Sequence, residues 1–175
     1  VSLAHLLEAL IGLIQTKGYS PVWTPISFPS LPTPPASAPI TYDYFFDTLN
    51  YTISSENLIV ADVGLSAFGG SSYLTIPRQN GFLVQAIWAS IGWSIPAGLG
   101  ASFTTNTRAI IIVGDGAFKL TCQEISTMIM QQCNTVIFVL NNSVYGVEQI
   151  LLNPAPFETG SNAPFEAANI LPSWD

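Results

Sequence analysis

Two stretches decide the fold: Ala109-Ile110-Ile111-Ile112-Val113-Gly114-Asp115-Gly116 and Thr135-Val136-Ile137-Phe138-Val139-Leu140-Asn141-Asn142. Each is a short, β-branched apolar run that stops abruptly at polar residues. An unbroken run of strand length, rather than an alternating one, is the mark of a strand covered on both faces. Residues 118–132 between them carry helical spacing. A strand–helix–strand crossover is right-handed, which makes the two strands parallel and brings both carboxyl ends to one edge of the sheet. Asp115 and Asn142 then meet at that edge, where open α/β sheets bind their ligands.

Working outward, residues 41–49 predict a helix and 58–61 a buried strand ending at Asp62-Val63-Gly64. The run Gly69-Gly70-Ser71-Ser72 reads as a turn. A helix is expected over 85–103, kinked or divided at Pro96. Short apolar strands alternating with amphipathic helices predict an α/β fold, a mainly parallel open sheet with helices on both faces. Further out, Pro21, Pro25, Pro29, Pro32, Pro34, Pro35 and Pro39 exclude a helix or central strand over 19–39, which reads as a linker. Before it, Leu3, Leu6, Leu7, Leu10, Leu13 and Ile14 recur at helical spacing up to Gly18. The expected division is therefore 1–18 as the last helix of a preceding domain, 19–39 as linker, and 40–175 as the α/β domain, truncated at its C-terminus.

Composition narrows the function. Only 9% of the residues are Asp, Glu, Lys or Arg, against about 25% in an ordinary soluble domain. The net charge of -7 comes from scarce Lys and Arg, which leaves no basic footprint for nucleic acid or anionic lipid. Such depletion fits a surface buried against other domains or subunits. It also fits uncertain residue identities in 104–107 and 131–132, which peptide mass spectrometry would separate. Mean hydropathy is +0.43, yet the longest apolar stretches, 109–113 and 136–140, fall far short of the roughly 20 residues a membrane span needs. Glu8 and Gly12 interrupt the apolar start, so no signal peptide is read there. Cys122 and Cys133 have neither zinc nor CxxC spacing and are expected as reduced core thiols in a cytoplasmic protein. The sequon Asn50-Tyr51-Thr52 is then expected to be unused.

The chemistry lies in the pair at the sheet edge. A carboxylate and a carboxamide oxygen are hard ligands suited to Mg²⁺, leaving positions for a backbone carbonyl, water and phosphate oxygens. Gly114 and Gly116 permit close approach of a phosphate, and a helix starting near Ala117 turns its free N–H groups to the same spot. Taken singly, Gly-Asp-Gly is an ordinary strand-to-helix turn and Asn141-Asn142 a polar loop. Together, each after an apolar strand and with 24 residues between Gly116 and Asn141, they specify a site.

This constellation resembles the thiamine diphosphate motif. The stretches Gly114-Asp-Gly-Ala-Phe-Lys-Leu-Thr-Cys-Gln-Glu124, Asn141-Asn-Ser-Val-Tyr-Gly-Val-Glu148 and Trp88-Ala-Ser-Ile-Gly-Trp93 resemble the pyruvate and indolepyruvate decarboxylase group. The resemblance runs from about Thr41 to Asp175 and implies the diphosphate-binding domain of a 2-oxo acid decarboxylase, with thiamine diphosphate and Mg²⁺ as cofactors. It implies Asp115, Asn142 and the Val144 carbonyl as metal ligands. It implies Ile91 as the apolar prop of the bent cofactor and the Ala89 carbonyl as acceptor for the cofactor's amino group. Gly64, Leu65, Gly114, Gly116, Ala117, Tyr145, Gly146 and Val147 complete the implied cofactor contacts. Glu148 would serve proton transfer after carbon dioxide leaves, with Val147 beside it at the substrate.

Two departures stand out. Val63 and Leu65 occupy positions where several decarboxylases have phosphate-binding threonines, and the Arg and Lys expected on the helix before Thr135 are missing. The alternatives are an acetolactate-synthase-like carboligase, against which Glu148 speaks, and a non-catalytic subunit retaining the fold. A nicotinamide-binding domain is disfavoured, since no GxGxxG follows a predicted strand. The resemblance also implies a homodimer or homotetramer, and a pyrimidine-binding domain of the same or another chain without which this chain is inactive.

Overall fold

The computed structural model describes residues 39–104 and 107–172, together with Glu8 and Gly12. The helix expected over 2–18 and the linker expected over 19–39 lie outside the described residues, apart from Pro39 and from Glu8 and Gly12, which are helical. Strands β1 (Asn57–Ala61), β2 (Phe82–Val84), β3 (Arg108–Gly114) and β4 (Val136–Leu140) form one parallel sheet in the order β2-β1-β3-β4. Helix α1 (Tyr42–Thr52) precedes β1, α2 (Leu65–Tyr73) joins β1 to β2, and α3 (Ser94–Thr104) joins β2 to β3. Helices α4 (Asp115–Thr121) and α5 (Glu124–Met130) join β3 to β4, and α6 (Gly146–Leu152) follows β4.

The strand order explains the apolar runs. The middle strands are β1 and β3, and every residue from Leu58 to Ala61 and from Ala109 to Val113 is buried. Alternate side chains serve opposite faces. On one face Leu58, Val60, Ile111 and Val113 pack with Ile95 and Ala101 of α3 and Met128 of α5. On the other, Ile59, Ile110 and Ile112 pack with Phe46 and Leu49 of α1. Helices cover both faces, as an all-parallel sheet requires. Thr41 caps α1, its hydroxyl accepting from the Tyr44 N–H at 3.2 Å. Asn50 is buried in α1, its amide donating to the Tyr73 carbonyl and its oxygen accepting from the Thr75 N–H, both at 2.8 Å. Its side chain thus ties α1 to the chain leaving α2, and presents no accessible amide to a glycan. Both cysteines are free and half-buried. Among the described residues no helix is long and apolar enough to cross a membrane.

Three local expectations are corrected. Gly69-Gly70-Ser71-Ser72 is not a turn but the body of α2. A Cβ on Gly69 would enter the Phe46 ring, and one on Gly70 would press the Phe82 ring at 3.0 Å, so these glycines serve close helix packing. The helix expected over 85–103 begins only at Ser94, after strand β2 and a loop. Pro96 lies in the first turn of α3, where its missing N–H costs nothing, so it does not divide the helix. The helix expected over 118–132 starts earlier, at Asp115, and is two pieces. Between them the Ile125 and Ser126 N–H groups bond the Cys122 and Gln123 carbonyls in a tightened turn.

Candidate functional site

β3 ends at Gly114 and α4 begins on the next residue, so Asp115 sits at the carboxyl edge of the sheet with 2% of its surface exposed. Its Oδ1 accepts from the Gly116 N–H at 3.0 Å and its Oδ2 from the Ser143 N–H at 2.8 Å. One carboxylate therefore bridges the ends of β3 and β4. Ser143 has φ +59°, a left-handed conformation unusual for serine, which turns the chain back over Asp115. Asn142 accepts at Oδ1 from the Val144 N–H and donates from Nδ2 to the Tyr42 hydroxyl, each at 3.2 Å. Burial pushes the Tyr42 phenol above its ordinary value; the Asn142 hydrogen bond opposes this and the Asp115 charge adds to it. The hydroxyl is thus neutral at neutral pH and able to accept from Asn142.

These residues open on a cavity of about 420 Å³. Its lining includes Gly64, Leu65, Ile91, Gly114, Asp115, Gly116, Ala117, Asn142, Val144, Tyr145, Gly146, Val147 and Glu148. The fold thus gathers the site residues expected from sequence, with one exception. Ala89 is exposed at φ +50° and does not line the cavity, so of its loop only Ile91 reaches there. Val63 and Leu65 present apolar side chains to the cavity.

Three helices, α2, α4 and α6, start at the cavity rim, and none has a side-chain cap. First-turn N–H groups lack intrahelical partners, so uncapped starts favour an anion. Gly64 at φ +94° and ψ -147° permits the turn into α2, a conformation closed to other residues. A Cβ on Gly116 would collide with the Tyr145 ring, so this glycine lets the loop after β4 lie directly on the start of α4.

Sequence reasoning missed three residues here. Asp62, fully buried, accepts from the Val63, Gly92 and Ser94 N–H groups. Its signal was available, because it follows β1 as Asp115 follows β3. Gln149, also fully buried, accepts from the Glu166 N–H at 2.8 Å and the Asn169 amide at 3.2 Å, and donates to the Asn153 carbonyl at 2.8 Å. It pins α6, and with it Glu148, to the segment 166–169. Tyr42 is the third, and its role depends on a contact a hundred residues away in the chain.

The donor set fits a hard divalent ion. Asp115, Asn142 and Val144 all line the cavity, and between them they offer a carboxylate, a carboxamide oxygen and a main-chain carbonyl. Among the described residues no donor bonds the Val144 carbonyl, and the other two oxygens keep spare lone pairs. Oxygen ligands of this kind suit Mg²⁺. Among the described residues no three His, Cys, Asp or Glu side chains gather as a softer ion would require.

Comparison with known proteins identifies the family. The profile of the family "Thiamine pyrophosphate enzyme, C-terminal TPP binding domain" matches residues 62–171. Pyruvate decarboxylase isozyme 1 of Saccharomyces cerevisiae is 35% identical over 161 residues, which are 88% of this chain and 28% of that protein. An alpha-keto-acid decarboxylase of Mycobacterium leprae is 33% identical over 171 residues, 96% of this chain and 28% of that protein. The chain thus spans under a third of the length of these relatives. A solved structure from Mycobacterium smegmatis, described as a thiamin diphosphate-dependent enzyme, superposes with a TM-score of 0.60 over 79% of this chain and 24% of its own, at 21% identity, and so shares the fold. The chain belongs to the thiamine pyrophosphate enzyme family and carries its C-terminal TPP-binding domain.

Proposed function

We propose that this chain is the diphosphate- and Mg²⁺-binding part of a thiamine diphosphate-dependent decarboxylase that converts a 2-oxo acid to an aldehyde and carbon dioxide. The observation that carries the reading is Asp115, buried between two parallel strand ends in a cavity where three uncapped helices begin. Asp115, Asn142 and the Val144 carbonyl hold the metal. The backbone of Gly64, Leu65, Gly114, Gly116, Ala117 and 145–147 faces the diphosphate. With valine at 63 and leucine at 65, phosphate is held by main-chain N–H groups rather than hydroxyls. When bound, thiamine diphosphate supplies the carbon nucleophile and the electron sink for loss of carbon dioxide.

Within this chain Ile91, which lines the cavity, would prop the cofactor. Glu148, in the first turn of α6 and lining the cavity, moves the proton that completes aldehyde formation. Ala89 lies outside the cavity lining, two residues before Ile91, and its carbonyl would accept from the cofactor's amino group there. The acidic lining of the cavity consists of Asp115 and Glu148, and Asp115 is committed to the metal. Family membership implies that the acid activating the pyrimidine ring comes from a pyrimidine-binding domain, of the same or another chain, and the resemblance to the decarboxylase group implies a homodimer or homotetramer.

The similarity to pyruvate and alpha-keto-acid decarboxylases supports decarboxylation. So does Glu148, over an acetolactate-synthase-like carboligase or a non-catalytic subunit. The test is titration of the full-length protein with thiamine diphosphate, with and without Mg²⁺, followed by assay with a panel of 2-oxo acids. Mg²⁺-dependent binding with release of aldehyde and carbon dioxide is expected. Binding indifferent to Mg²⁺, or a condensed 2-hydroxy-3-oxo acid without aldehyde, would overturn it.

A further inference from the structure

The sheet edge carries a second buried carboxylate that the proposed chemistry does not use. Asp62 follows the last residue of β1 and is 0% exposed. Burying a carboxylate is costly unless it is well bonded, and among the described residues no cation reaches it. Its partners are all main-chain. Oδ1 accepts from the Val63 N–H at 2.9 Å and the Gly92 N–H at 3.1 Å, and Oδ2 from the Ser94 N–H at 2.8 Å. Charge-assisted bonds of this kind are about twice as strong as neutral ones. The carboxylate is thus spent on holding a loop 30 residues away in the chain.

That loop is held from its other side as well. The Gly92 carbonyl accepts from the Thr121 hydroxyl at 2.9 Å. A Cβ on Gly92, itself at φ +86°, would press Leu120 at 3.0 Å and Thr121 at 3.3 Å. Gly92 is therefore clamped by its N–H to the end of β1 and by its carbonyl to the last residue of α4, the helix that begins with Asp115. The residue before it is Ile91, the one member of residues 85–93 in the cavity lining.

We propose that Asp62 and Thr121 are positioning residues that clamp Gly92 and thereby set the height of Ile91 against the bound cofactor. The clamp ties the wall carrying Ile91 to the helix carrying Asp115, so that metal side and prop keep one spacing. This rests on the reading in which Ile91 props thiamine diphosphate. Neither clamp residue touches the cofactor. Their loss therefore acts through geometry, and displacement of about 1 Å at a reacting centre can cost up to about 100-fold.

The experiment uses the full-length holoenzyme and the variants Asp62→Asn, Thr121→Val and Thr121→Ser. Two quantities are measured: hydrogen–deuterium exchange at C2 of the bound cofactor, by quench and NMR, and the Mg²⁺-dependent affinity for thiamine diphosphate, by calorimetry. Asp62→Asn keeps the shape but turns an N–H donor toward one of the loop's N–H groups. It and Thr121→Val are expected to slow C2 exchange by roughly 10- to 100-fold, with affinity within a factor of about three. Thr121→Ser keeps the hydroxyl and should exchange at the parent rate. The double variant should be no slower than the slower single one, because both act through Gly92. Parent-like exchange in folded Thr121→Val, or affinity falling as far as exchange does, overturns the clamp; Thr121→Val decides alone if Asp62→Asn fails to fold. Asp115→Ala is run alongside. If it abolishes Mg²⁺-dependent binding while the clamp variants exchange normally, the clamp alone is wrong; if it binds normally, the underlying cofactor reading falls and the clamp with it.

Discussion

Asp115 accepts one backbone N–H from its own helix and one from the loop after β4. Its charge therefore lies at the meeting point of two strands and is not compensated by any side-chain cation among the described residues. A divalent ion would supply that compensation, which leads to a direct expectation. Asp115→Ala in the full-length protein should abolish Mg²⁺-dependent binding of thiamine diphosphate, a loss beyond the roughly 10–100-fold that removal of a supporting contact costs a metal site. Calorimetry with circular dichroism checks this, and normal affinity in a folded variant would sink the metal assignment. Glu148 makes a different prediction, because it lies in the cavity but belongs to no ligand set. Glu148→Gln should keep cofactor affinity and lower turnover by about 10²–10⁴-fold, the usual contribution of a general acid–base group. Turnover near the parent value would make Glu148 structural and strengthen the carboligase alternative. Asp115 could be singled out from residue type and spacing, and Glu148 through the resemblance of residues 141–148 to the decarboxylase group. Tyr42 and Gln149 could not be given roles that way, because each acts through a partner distant in sequence; the position of Asp62 after β1 was a signal, but its partner Gly92 was not legible.

At the scale of elements, glycine is where local reading failed and packing decided. In α2 the pair Gly69-Gly70 reads locally as a turn, yet the helix forms because its small face lies on Phe46 and Phe82. Helix α3 allows the competing effects to be weighed directly. Ala is favoured over Gly in a helix interior by roughly 1 kcal/mol. At Gly100 nothing lies within 4 Å of an added Cβ, so Gly100→Ala should raise stability by about that amount. At Gly98 the added Cβ would collide with the Ile111 side chain, and overpacking a core costs about 1–3 kcal/mol. Gly98→Ala should therefore lower stability despite its better propensity. Thermal unfolding of the two variants gives the answer, and shifts of the same sign would show that Ile111 yields freely. The strands were more legible than the helices. Residues 58–61 and 109–113 are continuous apolar runs, whereas β2 has only Phe82, Leu83 and Val84 and takes its identity from pairing with β1.

On the whole molecule, large apolar side chains are exposed beside the cavity and the loop leading to it. Phe68 is 60% exposed, Trp88 82% and Leu151 79%, while only 9% of the chain is charged. Surface of this kind is ordinarily covered in an assembly. Combined with a cavity whose acidic lining is Asp115 and Glu148, this predicts that the chain by itself turns over no 2-oxo acid. Activity should appear when a pyrimidine-binding domain is supplied, covalently or as another chain. The check is to add thiamine diphosphate, Mg²⁺ and a panel of 2-oxo acids to the isolated chain and measure aldehyde and carbon dioxide; robust turnover would refute the half-site reading.

The primary structure by itself determined the parallel strands, the sheet edge at which Asp115 and Asn142 meet, and the family to which the motif belongs. Those features are written in local patterns: unbroken apolar runs, a crossover of one hand, and hard oxygen donors after each strand. Only the tertiary structure decided that Ile91 enters the cavity while Ala89 stays outside, that Asp62 holds Gly92, and that the glycines of α2 and α3 are contact points rather than turns. The physical reason is common to all three. Periodicity and residue type report what a segment can form with its neighbours in the chain, whereas a loop's height above a sheet is set by hydrogen bonds and close contacts with groups distant in sequence.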